Sequence, residues 1–234
     1  MKNQLKKLFL LAVTLLSSAC ELGNSQITSN INNTTSDNTS IENLFKKNQV
    51  LLSTGDARKL IYDQEERFKT TDKYFLVFAI NYCDNCNEAN KAFNELFNNE
   101  LFIGDYQLKS IYVDEEDDKY QLTDPRSEMY KIYFSDSVYD KADPLEFRET
   151  IYDCASSATH EYAIETYEQN ENMFREMLEG EDLYCPLILL IDKTYTGNKF
   201  NIRDVTVGIN AQNPLEKAKV LDDMWFSKGL FQVE

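Results

Sequence analysis

The chain has 234 residues and a formal net charge of −16, from 40 acidic and 24 basic side chains. An acidic surface repels phosphate backbones and anionic lipid headgroups, so no nucleic-acid partner is expected and acidic substrates are disfavoured. A chain of this length with 42% hydrophobic residues is sufficient for one sizeable core.

The first 19 residues have the pattern of a secretory signal peptide. Three lysines precede a short apolar run at 8–16, and small residues lead to Cys20. The tetrapeptide at 17–20 resembles a bacterial lipobox, which implies lipidation of Cys20 and export as a membrane-anchored lipoprotein of the periplasm or cell surface. Leu16 lies one position further from the cysteine than the usual motif has it, so ordinary cleavage with Cys20 unmodified is the alternative.

Two segments separate the signal from the first predicted strand. Residues 20–40 are rich in Asn, Ser and Thr, and they cannot bury enough apolar surface to offset their ordering entropy. We therefore predict a flexible tether. From 41 to 69 the apolar spacing predicts an N-terminal helical extension, broken near Gly55, that covers a sheet edge. Its apolar positions are Leu44, Phe45, Val50, Leu51, Leu60 and Ile61.

The most informative motif is Cys83-Asp84-Asn85-Cys86, which closes an apolar run at 74–80 typical of a strand covered on both faces. Where a helix starts, unpaired N–H groups and the helix dipole favour the thiolate of Cys83. Cys86, one turn further along, can attack a mixed disulfide formed on the first sulfur. The helix itself is predicted from the apolar residues Ala89, Ala92, Phe93, Leu96 and Phe97.

After the dithiol, a strand is predicted at 108–114. The segment at about 115–183 is predicted to be a mostly helical insertion. It contains a long helix from about His160 to Leu178, which ends at Gly180 because glycine commonly follows a helix C-terminus.

The carboxyl-terminal part contains a buried strand at 187–191, directly after Pro186. A proline in this place is a natural site for a cis peptide bond. An alternating strand at 205–209 is predicted to pair with the first through a turn at 196–198. A closing helix is predicted to begin at Asn213, because an N-cap residue is followed there by proline and, at the third helical position, by an acid.

Together these features resemble the thioredoxin superfamily, over roughly residues 70–115 and 183–230. That family places a Cys-x-x-Cys at a helix start beside a cis-proline that leads into a central strand. The resemblance implies an α/β fold with a central mixed sheet flanked by helices, here as one domain over 41–234. It also implies thiol–disulfide exchange on exported proteins, without an organic cofactor and with a redox partner that resets the dithiol.

The resemblance assigns a role to each matching residue. Cys83 is the expected nucleophile and Cys86 the resolving thiol. Tyr82, Cys185 and Pro186 are expected to contact the bound peptide, and Tyr82 stands where the family often has tryptophan.

Two departures affect the expected chemistry. Val77 stands where many thioredoxins bury an acid that takes a proton from the resolving thiol. Asp84 places negative charge beside Cys83 and opposes its ionisation. We therefore predict a moderately lowered pKa for Cys83 and a reducing-to-intermediate potential for the dithiol.

The remaining cysteines leave alternatives open. Four of the five cysteines remain when Cys20 is excluded, and an even number in an exported protein suits disulfides. A Cys154–Cys185 bond would join the insertion to the core. Alternatively, Cys185 is a small buried apolar residue, or a third thiol that diverts the active-site disulfide.

Two functions from other classes also stay open. His160, the only histidine, is predicted to face solvent, and no metal site is predicted. A metal-binding or copper-delivery module would nevertheless use Cys83 and Cys86 with Cys185 or His160. A non-catalytic surface binding protein that retains the fold is the other alternative.

Overall fold

A five-stranded mixed sheet forms the centre of the fold in a computed structural model, which describes residues 49–80, 83–98, 106–113, 132–133, 143–209 and 213–226. Its strands lie in the spatial order β1-β3-β2-β4-β5. The first three strands in that order are parallel, whereas β4 runs antiparallel to β2 and β5 antiparallel to β4. The bounds are β1 Gln49–Leu52, β2 Lys73–Ile80, β3 Leu108–Val113, β4 Leu187–Asp192 and β5 Ile202–Val207.

Helices cover both faces of this sheet. Their bounds are α1 Thr54–Tyr62, α2 Gln64–Arg67, α3 Asp84–Asn98, α4 Pro144–Ser156, α5 Glu161–Glu179 and α6 Pro214–Phe226. The described residues all belong to one compact unit, Thr39–Glu234. In this part of the chain the fold is therefore mixed α/β, as predicted.

Strand β2 divides the core into two layers, because its successive side chains point to opposite faces of the sheet. On one face, the ring centroid of Phe75 lies 5.4 Å from that of Phe93 in α3 and 5.2 Å from that of Trp225 in α6. On the other face, the Phe78 ring lies 5.0 Å from that of Tyr133. All seven residues from 74 to 80 are buried, which explains why this strand reads as a continuous apolar run.

Several predicted boundaries agree with the structure. Helix α5 ends at Glu179, and Gly180 adopts a left-handed conformation with a φ of 78°. Helix α6 starts as predicted, since the Glu216 N–H donates a 3.0 Å hydrogen bond to Asn213 Oδ1. Strand β5 lies earlier than predicted, at 202–207, and Gly208 follows it with a φ of 67°. Within 115–183, most of the described residues lie in α4 and α5, in agreement with a mostly helical segment.

The prediction of helices alone from 41 to 69 is wrong for residues 49–52, which form β1. This strand pairs with β3, and Val50 there is 49% exposed, as suits the edge of a sheet. Ser53 then caps α1, so Gly55 lies in the first turn of that helix rather than at a break. A short apolar run is compatible with either a strand or a helix, because it is too short to show a period. Here the pairing with β3 makes it a strand. The predicted signal, the tether and Cys20 lie outside the described residues.

Candidate active site

The dithiol lies at the start of α3, where the helix leaves backbone donors unpaired. The Cys86 N–H is 3.1 Å from Cys83 Sγ and donates a hydrogen bond to it. The Cys83 carbonyl accepts the N–H groups of Cys86 and Asn87, each at 3.1 Å. Cys83 is thus the residue that caps the helix, and the positive end of the helix dipole faces its sulfur.

The two thiols have different acidities because they share a hydrogen bond. The Cys86 thiol donates to the Cys83 sulfur, and this is the main reason why the pKa of Cys83 falls to about 7. Backbone N–H groups lower it further, whereas burial and the Asp84 carboxylate oppose the shift. The same hydrogen bond, together with burial, raises the pKa of Cys86. The predicted lowering of the Cys83 pKa, with opposition from Asp84, is confirmed.

Cys83 and Cys86 also differ in their exposure to solvent. Cys83 is partly exposed, whereas Cys86 is 2% exposed. A thiol that ionises near neutral pH and reaches solvent can attack an incoming disulfide. A buried thiol that keeps its proton is available for the second step, once the first sulfur is occupied.

The peptide bond between Cys185 and Pro186 is cis, as predicted. It lies beside the dithiol, with Cys83 Sγ 3.4 Å from the Cys185 carbonyl oxygen. The Pro186 carbonyl accepts the Gly208 N–H at 2.8 Å, which joins the start of β4 to the end of β5. The structure therefore brings together residues about a hundred positions apart in sequence.

Cys185 adds a third thiol to this site. Burial and the proximity of Cys83 raise its pKa, and Cys185 in turn contributes to the raised pKa of Cys86. Three sulfur side chains therefore influence one another electrostatically, but only Cys83 has a lowered pKa. Tyr82, the other residue expected to contact substrate, lies outside the described residues.

The Cys154–Cys185 disulfide, one of the alternatives left open above, is not formed in this structure, where the four cysteines in the described part of the chain are free. The Cys154 thiol on α4 lies against β5, with Sγ 4.0 Å from the Ile202 carbonyl oxygen. Burial is the main reason why its pKa rises to about 12. Cys185 instead lies against Cys83. Sequence spacing alone did not reveal that α4 directs Cys154 toward β5.

The prediction that His160 faces solvent is wrong. Its side chain is only 17% exposed, and Nε2 lies 3.7 Å from Asp204 Oδ2. The Tyr162 hydroxyl donates a 2.8 Å hydrogen bond to the same carboxylate. His160 precedes α5, so its contact with β5 depends on how that helix packs. Across the described ranges, no group of three or more His, Cys, Asp or Glu residues could hold a metal ion.

Two buried polar residues, one on α3 and one on β3, were not predicted. Asn90 follows Cys86 by one helical turn and is fully buried, and Ser110 in β3 is 2% exposed. The four-residue spacing between Cys86 and Asn90 is a signal that the sequence does contain. The burial of Ser110 becomes apparent only when β3 is paired with β2.

Alkylation with iodoacetamide is expected to modify Cys83 first. Only a thiolate reacts, so below about pH 7 its rate should rise about tenfold per pH unit and level off above that value. The other three described thiols have raised pKa values and should react slowly. Peptide mapping by mass spectrometry from about pH 5 to about pH 10 measures each rate.

A Cys83→Ser variant is the control for that experiment and should retain only the slow labelling. A midpoint for Cys83 near the ordinary thiol value of about 8.5, or faster labelling of Cys185, would contradict the assignment.

Comparison with known proteins gives no family for this chain. No protein-family model, curated protein or solved structure matches it. Among the described residues, none of the helices combines the length and the apolar character needed to span a bilayer. The functional proposal therefore depends on the geometry of the site.

Proposed function

We propose that this protein is a thiol–disulfide oxidoreductase with a thioredoxin-like fold that acts on exported proteins. One observation carries the proposal. An accessible thiol with a lowered pKa and a buried thiol with a raised pKa share the first turn of α3, beside a cis-proline. This difference in exposure and pKa between the two thiols is not required in a structural disulfide or in a pair of solvent-exposed cysteines.

The surrounding fold supports the thioredoxin-like part of the proposal. The dithiol follows β2 in the middle of a mixed sheet, and helices lie on both faces. The cis-proline leads into β4, which pairs directly with β2. These are the relations that the resemblance to the thioredoxin superfamily implies, although the short strand β1 and helices α4 and α5 are not part of that resemblance.

In the first step the Cys83 thiolate attacks one sulfur of a substrate disulfide. A new S–S bond forms, the substrate S–S bond breaks, and one substrate sulfur leaves as a thiolate. The Cys185 carbonyl oxygen lies 3.4 Å from this sulfur, so the backbone at Cys185 and the cis-proline that follows it are placed to position the peptide.

In the second step Cys86 loses its proton to solvent and attacks the Cys83 sulfur. The mixed disulfide breaks, the second substrate sulfur leaves as a thiolate, and a Cys83–Cys86 disulfide forms. Two electrons have then passed to the substrate. A dithiol or small-thiol reductant must return them before the next turnover, and the reverse sequence oxidises a substrate dithiol.

The predicted signal and lipobox support a location outside the cytoplasm, on a lipid anchor at Cys20. We expect a reducing-to-intermediate potential, since Asp84 opposes the thiolate of Cys83 and Val77 supplies no buried acid. A measured potential near the strong-oxidant value of about −120 mV would contradict this expectation.

The full-length protein in metal-free buffer should accelerate the reduction of a protein disulfide such as that of insulin by dithiothreitol. The physical reason is that a thiolate present at neutral pH reacts faster than the mostly protonated thiols of the reductant. Turbidity of the reduced insulin measures the rate. Cys154→Ser is the matched control, because that thiol lies against β5 and should be dispensable.

Titration of the reduced protein with Zn²⁺ and Cu⁺ tests the metal-binding alternative. Inertness toward disulfides, combined with stoichiometric metal binding that requires Cys83 and Cys86, would overturn the proposed function in favour of a metal-binding or copper-delivery module. Inertness without metal binding would favour a non-catalytic surface binding protein.

A further inference from the structure

Asn90 is a buried polar residue whose side chain has no hydrogen-bonding partner. The residue is fully buried, and neither its Oδ1 nor its Nδ2 is hydrogen-bonded within the described part of the chain. Ser110 Oγ is buried and unpaired in the same way. Since buried polar groups are nearly always paired, two such residues call for an explanation.

Their positions place both residues in one layer between α3 and the sheet. Ser110 pairs with Val77 in the β2–β3 register, so their side chains share a face of the sheet. Phe75, two residues before Val77, contacts Phe93 of α3, so this is the face that α3 covers.

Asn90 lies on the side of α3 that faces the same layer. It is four residues after Cys86 and three before Phe93, and residues at these spacings are neighbours on one side of a helix. Helix α3 starts at the end of β2 and runs back along the strand. Its second turn therefore lies above the middle of β2, where Val77 and Ser110 are found.

Packing alone does not account for this arrangement. An apolar residue of similar size would fill the same space, without the desolvation cost that a buried, unpaired amide carries. The feature that sets this position apart is the Cys86 thiol one turn away. That thiol must become a thiolate in a buried place, and Val77 offers it no polar contact.

We propose that Asn90 and Ser110 are positioning residues that stabilise the Cys86 thiolate during the second step of exchange. This inference rests on the proposed function. Neither side chain is hydrogen-bonded to the Cys86 sulfur in this structure. As Cys86 gives its proton to solvent, the Asn90 N–H and the Ser110 O–H supply hydrogen bonds toward the sulfur through one bound water. The thiolate then attacks Cys83, and the electron pair of the broken S–S bond leaves with the substrate sulfur.

Other groups around Cys86 do not supply this stabilisation. The titratable groups that influence it electrostatically are Cys83 and Cys185, and both disfavour a second negative charge. The Ile80 backbone contributes a favourable hydrogen bond. Asn90 and Ser110 are the neutral polar side chains identified in this layer.

The test is an Asn90→Leu variant in a Cys83→Ser background of the full chain. With Cys83 absent no exchange occurs, and the ionisation of Cys86 is read from its ¹³Cβ chemical shift against pH. We expect the ionisation constant of Cys86 to fall about tenfold, as the loss of a hydrogen bond to a charged group predicts. The melting temperature should stay the same or rise, because an unpaired buried amide is removed.

Asn94→Leu, one turn further along α3 and partly exposed, is the matched control and should leave the Cys86 titration unchanged. If Asn90→Leu fails to fold, Ser110→Ala replaces it, since that change removes a hydroxyl without adding volume, and a smaller shift in the same direction is expected. An unchanged Cys86 titration in the folded variant overturns the inference. Failure of the proposed function can be recognised separately. In that case the wild-type protein does not exchange disulfides, whether or not Asn90→Leu changes the titration of Cys86.

Discussion

A Cys83→Ser variant of the full chain is expected to lose disulfide exchange completely within the sensitivity of the insulin assay. Among the described thiols, Cys83 alone combines a lowered pKa with partial exposure. A serine hydroxyl in its place does not ionise near neutral pH and cannot form a disulfide. The remaining rate should equal that of dithiothreitol alone.

The matching Cys86→Ser variant should behave differently. It keeps the Cys83 nucleophile, so the first step proceeds and a mixed disulfide accumulates. Well-oriented intramolecular groups reach effective concentrations of about 10⁵ M or more, whereas an added thiol acts at millimolar concentration. Release of substrate should therefore slow by several orders of magnitude, and the trapped adduct should survive non-reducing electrophoresis.

Cys185→Ser is the informative comparison for both variants. If Cys185 only shapes the site, this variant retains turnover and the Cys86→Ser adduct forms on Cys83 alone. If Cys185 diverts the active-site disulfide, the double variant Cys86→Ser/Cys185→Ser traps more adduct than Cys86→Ser.

Equal turnover by wild type and Cys83→Ser would contradict the proposed mechanism. Identification of the adducts by mass spectrometry would also identify the substrate proteins.

Replacement of Arg67 by methionine is expected to destabilise the protein by about 3–5 kcal/mol. Arg67 is 2% exposed and connects the end of α1 to the segment before β5. Its guanidinium donates to the Leu60 carbonyl at 2.9 Å, to the Lys199 carbonyl at 2.8 Å and to Asn201 Oδ1 at 2.7 Å, as well as to the Ile61 carbonyl. Methionine fills the space but leaves these buried acceptors without donors.

Urea unfolding followed by circular dichroism measures this loss against a typical domain stability of about 5–15 kcal/mol. Arg67→Lys should recover only part of it, because a single ammonium cannot reproduce the planar fork of a guanidinium. Arg175→Met is the matched control. Arg175 is exposed and forms an ion pair with Glu171 one turn away, an interaction typically worth about 0.3–0.5 kcal/mol. Similar losses for Arg67→Met and Arg175→Met would show that the buried network contributes little.

Elements with a strong local signal were predictable from the sequence. Strand β2 shows as an apolar run because both its faces are buried, and α3 shows because its apolar side repeats with helical spacing. Pro186 marked the cis bond for a local reason too, since only an X–Pro bond adopts that geometry at a modest cost. Strand β1 lacked such a signal. Four residues at a sheet edge have neither a length nor a period that distinguishes them from a helix start.

The sequence by itself determined the dithiol, the helix that begins at it and the proline that precedes β4, because each is specified by neighbouring residues. The tertiary structure decided which distant residues share the site. It placed the Cys185 carbonyl against Cys83, directed Cys154 and His160 toward β5, and buried Asn90 and Ser110 without hydrogen-bonding partners. The physical reason is that acidity and burial depend on groups brought together by strand register and helix packing. Strand register and helix packing cannot be read from the spacing of residues along the chain.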